Sequence, residues 1–115
     1  MEVLKSYFML TVQDMDRATG FYRDVFGLSV RFVSPEWSEL AWRDATIAFH
    51  GGRADGEYQQ TGLGFEVDDV DAACAAVAAA GGTVVAPPAD RAGERIRLAE
   101  VADTEGNVLS VAQPV

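Results

Sequence analysis

The side chains suited to nucleophilic chemistry are few in this sequence. The chain has one histidine, His50, and one cysteine, Cys74. A Ser-His-Asp or Cys-His arrangement needs a nucleophile and a base close together, and these two residues are far apart in the sequence. Alanines surround Cys74 on a helical pattern, so we expect a small core residue there. A single cysteine also excludes an internal disulfide and any CxxC metal or redox motif.

A carboxylate, Glu66, lies in the segment TGLGFEV, where apolar residues alternate with glycines and then with this glutamate. The alternation predicts a strand with Glu66 on its less apolar face. A carboxylate there needs water, a counter-ion or a ligand donor to offset its desolvation. Two interpretations stay open: hydration or a pair with Arg95 or Arg97, and an anchor for a cationic or hydrogen-bonding ligand.

Two groups of aspartates each follow a predicted strand. Asp14 and Asp16 form the first group, and Asp68, Asp69 and Asp71 form the second. Short carboxylates cap exposed backbone N–H groups and suit the positive end of a helix. We therefore interpret both groups as helix N-termini rather than as cation loops. No phosphate-binding GxxxxGK motif occurs, and the GLG at 62–64 lies within a strand.

Composition limits the classes of partner. The 115 residues fit one domain, and the formal net charge is −9 with a sequence pI near 4.3. Such a surface repels nucleic acid and anionic membranes and attracts cations, although acidity also serves solubility. No apolar run approaches membrane-spanning length, and the first residues lack the features of a signal peptide. We expect a cytoplasmic protein.

The element order follows from an internal repeat of 55 residues. VQDMDRATGFYRDVFG at 12–27 returns as VDDVDAACAAVAAAGG at 67–82. In each copy an alternating segment precedes a helical stripe, and β-prone segments follow it. The sequence predicts one domain, 1–115, built from two βαβββ modules at about 1–55 and 56–115. Gly27 and Gly81–Gly82 are predicted to end the helices, and PPADRAGE is predicted to be a loop.

Three segments carry a family resemblance. They are VQDMDRATGFYRDVFGL, its counterpart FEVDDVDAACAAVAAAGG, and the ending VADTEGNVLSVAQP. In the ending, Thr104 stands where the family that these segments resemble commonly has a proline. Together they resemble the vicinal oxygen chelate superfamily, which includes glyoxalase, bleomycin resistance proteins and extradiol dioxygenases. The resemblance implies an α+β, glyoxalase-like fold whose curved mixed sheet encloses a cavity.

The resemblance also places four metal-ligand positions, at Tyr7, Ala48, Gly62 and Ser110. One phenol, one hydroxyl and two groups without a side-chain donor make a poor set for a divalent cation. His50 and Glu66 are the remaining candidates, and an alternative site would combine Tyr7, His50, Glu66 and water. His50 can equally be a strand-end histidine that meets solvent.

The predicted binding residues are those expected on the inner face of the cavity. They are Tyr7, Met9, Thr11, Trp37, Trp42, His50, Glu66 and Ser110. The phase of EWSELAWR leaves open whether Trp37 or Trp42 faces the cavity, and either can instead pack in the core or in a dimer interface. Aromatic planes and a soft methionine suit flat organic molecules.

The expected function is therefore metal-free binding of a small aromatic or cationic organic molecule, of the drug-sequestration or resistance type. We expect a homodimer with no cofactor and no catalytic residue. The alternatives are a lyase, isomerase or dioxygenase with a non-standard Zn, Ni, Mn or Fe site, a cofactor-independent isomerase with Glu66 as base, and a catalytically silent regulatory module.

Overall fold

The computed structural model describes residues 1–54 and 57–115. The chain forms two compact units, Met1–Asp55 and Gly56–Val115. Each unit has the element order βαβββ and its own four-stranded mixed sheet. The order is the one that the 55-residue repeat predicts.

The first unit contains four strands and one helix. In chain order these are β1 (Phe8–Thr11), α1 (Met15–Phe26), β2 (Ser29–Val33), β3 (Trp37–Trp42) and β4 (Ala45–His50). The strands lie in the order β1-β4-β3-β2. β1 runs parallel to β4, while β3 is antiparallel to both of its neighbours. The edge strands are therefore β1 and β2.

Helix α1 covers one face of the first sheet. Asp14 caps it by accepting the backbone N–H of Arg17 at 3.0 Å, and Gly27 ends it in the left-handed region with φ +69°. Phe21 and Tyr22 are buried on its sheet-facing side. The ring of Tyr22 lies 5.3 Å from that of Phe49 on β4. This aromatic contact joins the helix to the centre of the sheet.

The second unit repeats the arrangement. Its elements are β5 (Gln59–Glu66), α2 (Val70–Ala79), β6 (Thr83–Arg91), a short 3₁₀ turn (Ala92–Glu94), β7 (Ile96–Ala102) and β8 (Asn107–Pro114). The strand order is β5-β8-β7-β6, with β5 parallel to β8. The helix contributes Val70, Cys74 and Val77 to the core. Cys74 is 6% exposed, and burial raises the pKa of its thiol, so it is a core residue.

The expectation of a loop at PPADRAGE is wrong for most of that segment. β6 continues to Arg91, and only Ala92–Glu94 form a turn. Pro87 and Pro88 fall in a register shift between Ala86 and Ala89, where they pair with no residue of β7. A proline lacks the N–H that a central strand must donate, but an edge strand with a bulge tolerates it. β6 is such an edge strand.

The DTEGN turn between β7 and β8 is held by a buried hydrogen-bond network. The buried carboxylate of Asp103 accepts the backbone N–H groups of Glu105 and Asn107 at 2.8 and 2.9 Å. The same carboxylate accepts Asn107 Nδ2 at 3.1 Å. This network fixes the turn between β7 and β8 and so positions the start of β8.

Across residues 1–54 and 57–115, neither helix has the length or apolarity that crossing a membrane requires.

Candidate functional site

The strand register places most of the predicted binding residues on one face of the first sheet. Leu10 and Phe49 point toward α1, and their neighbours along the strands point away from it. We call the side turned away from α1 the far face. One cross-strand row of the far face contains Met9, Ala48 and Glu39, and the next contains Thr11, His50 and Trp37.

Three aromatic rings meet on this far face. The ring centroids of Tyr7 and Trp37 lie 5.5 Å apart at an interplanar angle of 87°, and those of Trp37 and His50 lie 6.3 Å apart at 83°. Edge-to-face packing is favourable for such rings and leaves ring faces for further contact. Tyr7 remains 51% exposed. The structure thus brings together Tyr7, Trp37 and His50, which the sequence separates by up to 43 positions.

A short contact orients the imidazole of His50. Its Nδ1 lies 2.7 Å from the carbonyl oxygen of Gly51. A carbonyl only accepts hydrogen bonds, so Nδ1 carries the proton. In the neutral ring Nε2 is then an acceptor.

Glu39 is a candidate site residue that the sequence did not reveal. It lies on the far face between Phe32 of β2 and Ala48 of β4. Its Oε2 accepts the indole N–H of Trp37 at 2.9 Å, and its Oε1 accepts Lys5 Nζ at 2.7 Å. The Glu39 side chain is 21% exposed. The available signal was the spacing of two between Trp37 and Glu39, which puts both on one face of a strand.

The surroundings of Glu39 lower the pKa of its carboxyl from the usual range. The largest cause is the hydrogen bond from Lys5, followed by the one from Trp37, and the positive charge of Arg31 adds to them. Because the pKa of Glu39 is lowered on folding, these partners stabilise the folded protein fully at pH values above the pKa that Glu39 has in the unfolded chain. The contribution is lost as the pH falls through the folded pKa.

We therefore expect Glu39→Gln to lower the free energy of unfolding near neutral pH, because the ion pair with Lys5 is lost. The difference from the parent protein should shrink as the pH falls and vanish once Glu39 is protonated in the parent. Denaturant unfolding across an acidic-to-neutral pH series measures it. A difference that stays constant over the series would show that the charge of Glu39 does not contribute.

The structure separates the two tryptophans of β3. Trp37 pairs with His50 and lies on the far face, whereas Trp42 pairs with Ala45 and has the opposite phase. The guanidinium of Arg43 stacks over Trp42 at 4.5 Å from the ring centroid. Trp42 is therefore at the hairpin end and on the other face from Trp37.

The other predicted residues of the first unit, Met9 and Thr11, lie with Tyr7 on β1 or directly before it. Met9 is 46% exposed. The Thr11 hydroxyl accepts Nη1 of Arg53 at 3.4 Å. Both belong to the far face, and Met9 directly neighbours Ala48.

The second sheet has a corresponding far face, turned away from α2. One of its rows contains Gly64, Ser110 and Glu100, and Glu66 pairs with Ala112 in the next row. Glu100 is a second carboxylate that the sequence did not reveal. Its place beside Ser110 corresponds to that of Glu39 beside Ala48. Each unit thus carries a glutamate next to one of the family's ligand positions.

One of the alternatives left open for Glu66, an ion pair with Arg95 or Arg97, does not form in the described part of the chain. Arg97 instead bonds to Asp71 at 2.9 Å and to Asp90 at 3.1 Å. The reason is strand phase, because Arg97 pairs with Gln113 and lies on the side of α2. Glu66 is exposed on the far face.

The residues at the family's metal positions do not fit a metal. Tyr7 and Ser110 offer one hydroxyl each, and Ala48 offers no donor. Gly62 has φ +78°, a conformation that side chains rarely adopt, so a histidine there would be strained. Within residues 1–54 and 57–115, no group of three or more His, Cys, Asp or Glu side chains converges to hold an ion.

Comparison with known proteins supplies the family. The model of the glyoxalase/bleomycin resistance protein/dioxygenase superfamily matches residues 6–111. The chain belongs to this superfamily. The family resemblance of the three sequence segments and the predicted glyoxalase-like α+β fold are thereby confirmed.

A curated relative and two solved structures extend the comparison. Lactoylglutathione lyase of Haemophilus influenzae is 30% identical over 113 residues, covering 85% of this chain and 83% of the relative. A glyoxalase/bleomycin resistance protein/dioxygenase family enzyme from Burkholderia phytofirmans has a TM-score of 0.81 at 24% identity, covering 96% of this chain and 98% of that one. The fosfomycin resistance protein FosX of Listeria monocytogenes, complexed with Mn(II) and sulfate, has a TM-score of 0.81 at 18% identity, covering 100% and 93%. These two structural likenesses show the fold alone.

Proposed function

We propose that this member of the superfamily binds a small aromatic or cationic organic molecule without a metal, in the manner of a drug-sequestering or resistance protein. The binding surface is the far face of the first sheet. The observation that carries the proposal is the cluster of Tyr7, Trp37 and His50, in which the central Trp37 also donates its indole N–H to the carboxylate of Glu39.

The chemistry of this cluster suits a flat ligand with a polar group. Small-molecule sites are mainly apolar and aromatic, with a few fixed polar groups that set the orientation. The rings supply the apolar area, and the Trp37 N–H holds Glu39 in place. In its neutral form His50 offers Nε2 as a hydrogen-bond acceptor, because Nδ1 donates to the carbonyl oxygen of Gly51. Glu66 and Ser110 remain predicted binding residues of the second unit.

The net charge of −9 favours a cationic or neutral ligand over a nucleic acid. We include two further expectations in the proposal, a homodimeric state and a cytoplasmic location. The lone cysteine fits a reducing compartment. A mass measurement that finds only monomer at micromolar concentration would remove the dimer from the proposal.

A thermal-shift screen of aromatic antibiotics and metabolites, each with and without divalent metals, tests the proposed function. A ligand that binds only the folded state at about 100 times its dissociation constant stabilises it by roughly 2.7 kcal/mol. We expect at least one aromatic compound to raise the melting temperature equally in the presence and absence of metal. Shifts that occur only with a metal would contradict metal-free binding.

A metal-dependent lyase is the second candidate. It is favoured by the name of the Haemophilus influenzae relative, a lactoylglutathione lyase. The donor set of Tyr7, Ala48, Gly62 and Ser110 opposes it. Stoichiometric Zn, Ni, Mn or Fe in protein purified without chelators would favour this candidate over metal-free binding.

A further inference from the structure

We propose that the ligand carries an ammonium or guanidinium group, and that Lys5 occupies the place of this group on Glu39 until the ligand displaces it. The inference rests on the proposed function and specifies its chemistry. The ligand would be an aromatic cation, and the segment before β1 would compete with it for one carboxylate oxygen.

The two oxygens of Glu39 are held differently. Oε2 accepts the indole N–H of Trp37, which lies two residues away on the same strand. Oε1 accepts Lys5, which is 34 residues away in the sequence. Both residues of the first contact lie on β3, which is paired with β2 on one side and with β4 on the other. Oε1 is therefore the oxygen whose partner can exchange while the carboxylate keeps its orientation.

Lys5 itself is weakly anchored. It lies in the first seven residues, which form no helix or strand. Val3 and Leu4 beside it are 80% and 88% exposed, so the segment buries little apolar area. The Lys5 side chain is 50% exposed, against 21% for Glu39. Few buried contacts mean a low free-energy cost for moving such a segment.

The rings near Glu39 suit an organic cation better than they suit a lysine. Trp37 bonds to the carboxylate and is in edge contact with Tyr7, and aromatic faces attract cations within about 6 Å. An aromatic ammonium compound would keep the charge pair with Oε1 and add stacking on a ring. Lys5 supplies only the charge pair, so the exchange favours the ligand.

A matched pair of probes tests the inference, namely phenethylammonium and its neutral analogue phenethyl alcohol. Binding is followed by NMR titration of the indole N–H of Trp37, assigned with Trp37→Phe. The test variants are Lys5→Met, which removes the competitor, and Glu39→Gln, which removes the charge but keeps an acceptor for Trp37. Arg23→Gln is the charge-matched control, because Arg23 is exposed on α1 and pairs with Asp24.

Exposed ion pairs contribute little, so we expect Lys5→Met to tighten phenethylammonium binding by about two- to fivefold. Phenethyl alcohol should bind unchanged, and Arg23→Gln should leave both affinities as in the parent. Glu39→Gln should weaken the cation until it binds no better than the alcohol.

Two results with Lys5→Met would overturn the inference. In the first, Lys5→Met tightens the binding of phenethylammonium no more than Arg23→Gln does. In the second, Lys5→Met tightens the binding of phenethyl alcohol by the same factor as that of phenethylammonium. If phenethyl alcohol binds at the Trp37 indole but Glu39→Gln leaves the affinity for phenethylammonium unchanged, the inference fails. The proposed binding of aromatic molecules would then still hold. If neither probe shifts the indole signal in any variant, and the aromatic screen also yields nothing, the proposed function fails as well.

Discussion

Replacing Trp37 by leucine is expected to weaken binding of the aromatic ligand by about 10- to 30-fold, the effect of losing a well-placed aromatic residue from a binding surface. Trp37 contacts both other rings of the cluster. Its N–H also holds Glu39, so leucine removes the stacking surface and releases the carboxylate. Isothermal calorimetry with a compound from the thermal-shift screen measures the change.

The matched control is Trp42→Leu on the same strand. Trp42 has the opposite phase and stacks under Arg43, so its loss should leave the affinity within about twofold of the parent. Equal losses of affinity from the two substitutions would show that the ligand does not bind on the far face. A loss confined to Trp42→Leu would place it on the side of α1.

Replacing Phe49 by alanine is expected to lower the free energy of unfolding by about 3–5 kcal/mol, through lost transfer energy and the cavity left behind. Phe49 is fully buried, and its ring packs on Tyr22 of α1. Domains are stable by only about 5–15 kcal/mol. The substitution should therefore leave the first unit close to unfolding at room temperature. Urea or guanidinium unfolding measures it.

Phe32→Ala is the control for this prediction. Phe32 lies on the edge strand β2 and is 55% exposed, so its loss should cost no more than about 1 kcal/mol. If Phe49→Ala costs no more than Phe32→Ala, then the contact between α1 and β4 does not hold the first unit together. Such a result would also remove the basis for the register that places Ala48 and His50 on the far face.

Local patterns in the sequence predict the first strand of each unit and its helix well. Period-two alternation in SYFMLTV places Tyr7 and Met9 on the side opposite Leu10, as in the structure. Asp14 and Asp69 cap the two helices as expected. These features depend on neighbours in the chain, which a sequence pattern records directly.

The features that were missed depend on partners distant in the sequence. The phase of β3 is fixed by its pairing with β4, since EWSELAWR carries large or charged groups on both faces. Glu39 joins the cluster through Trp37, two residues away, but its second partner, Lys5, lies 34 residues earlier, and no local pattern indicates that contact. The prolines of β6 are tolerated because that strand is at an edge, and composition alone does not reveal an edge.

The departure from the family's metal pattern could be read in part from the sequence. Ala48 and Gly62 lack donors whatever their geometry. The structure adds that Gly62 has φ +78° and lies within a register shift between Gln60 and Gly64. The strand pairing is irregular there, so introducing a histidine at position 62 would not by itself create a metal ligand.

The most direct test of metal-free binding is a calorimetric titration of chelator-treated protein with the ligand found in the screen, with elemental analysis of the same sample. Metal-free binding predicts a dissociation constant equal to that of untreated protein, with metal content far below one ion per chain. A ligand that binds only after Zn, Ni, Mn or Fe is restored at one ion per chain would contradict it.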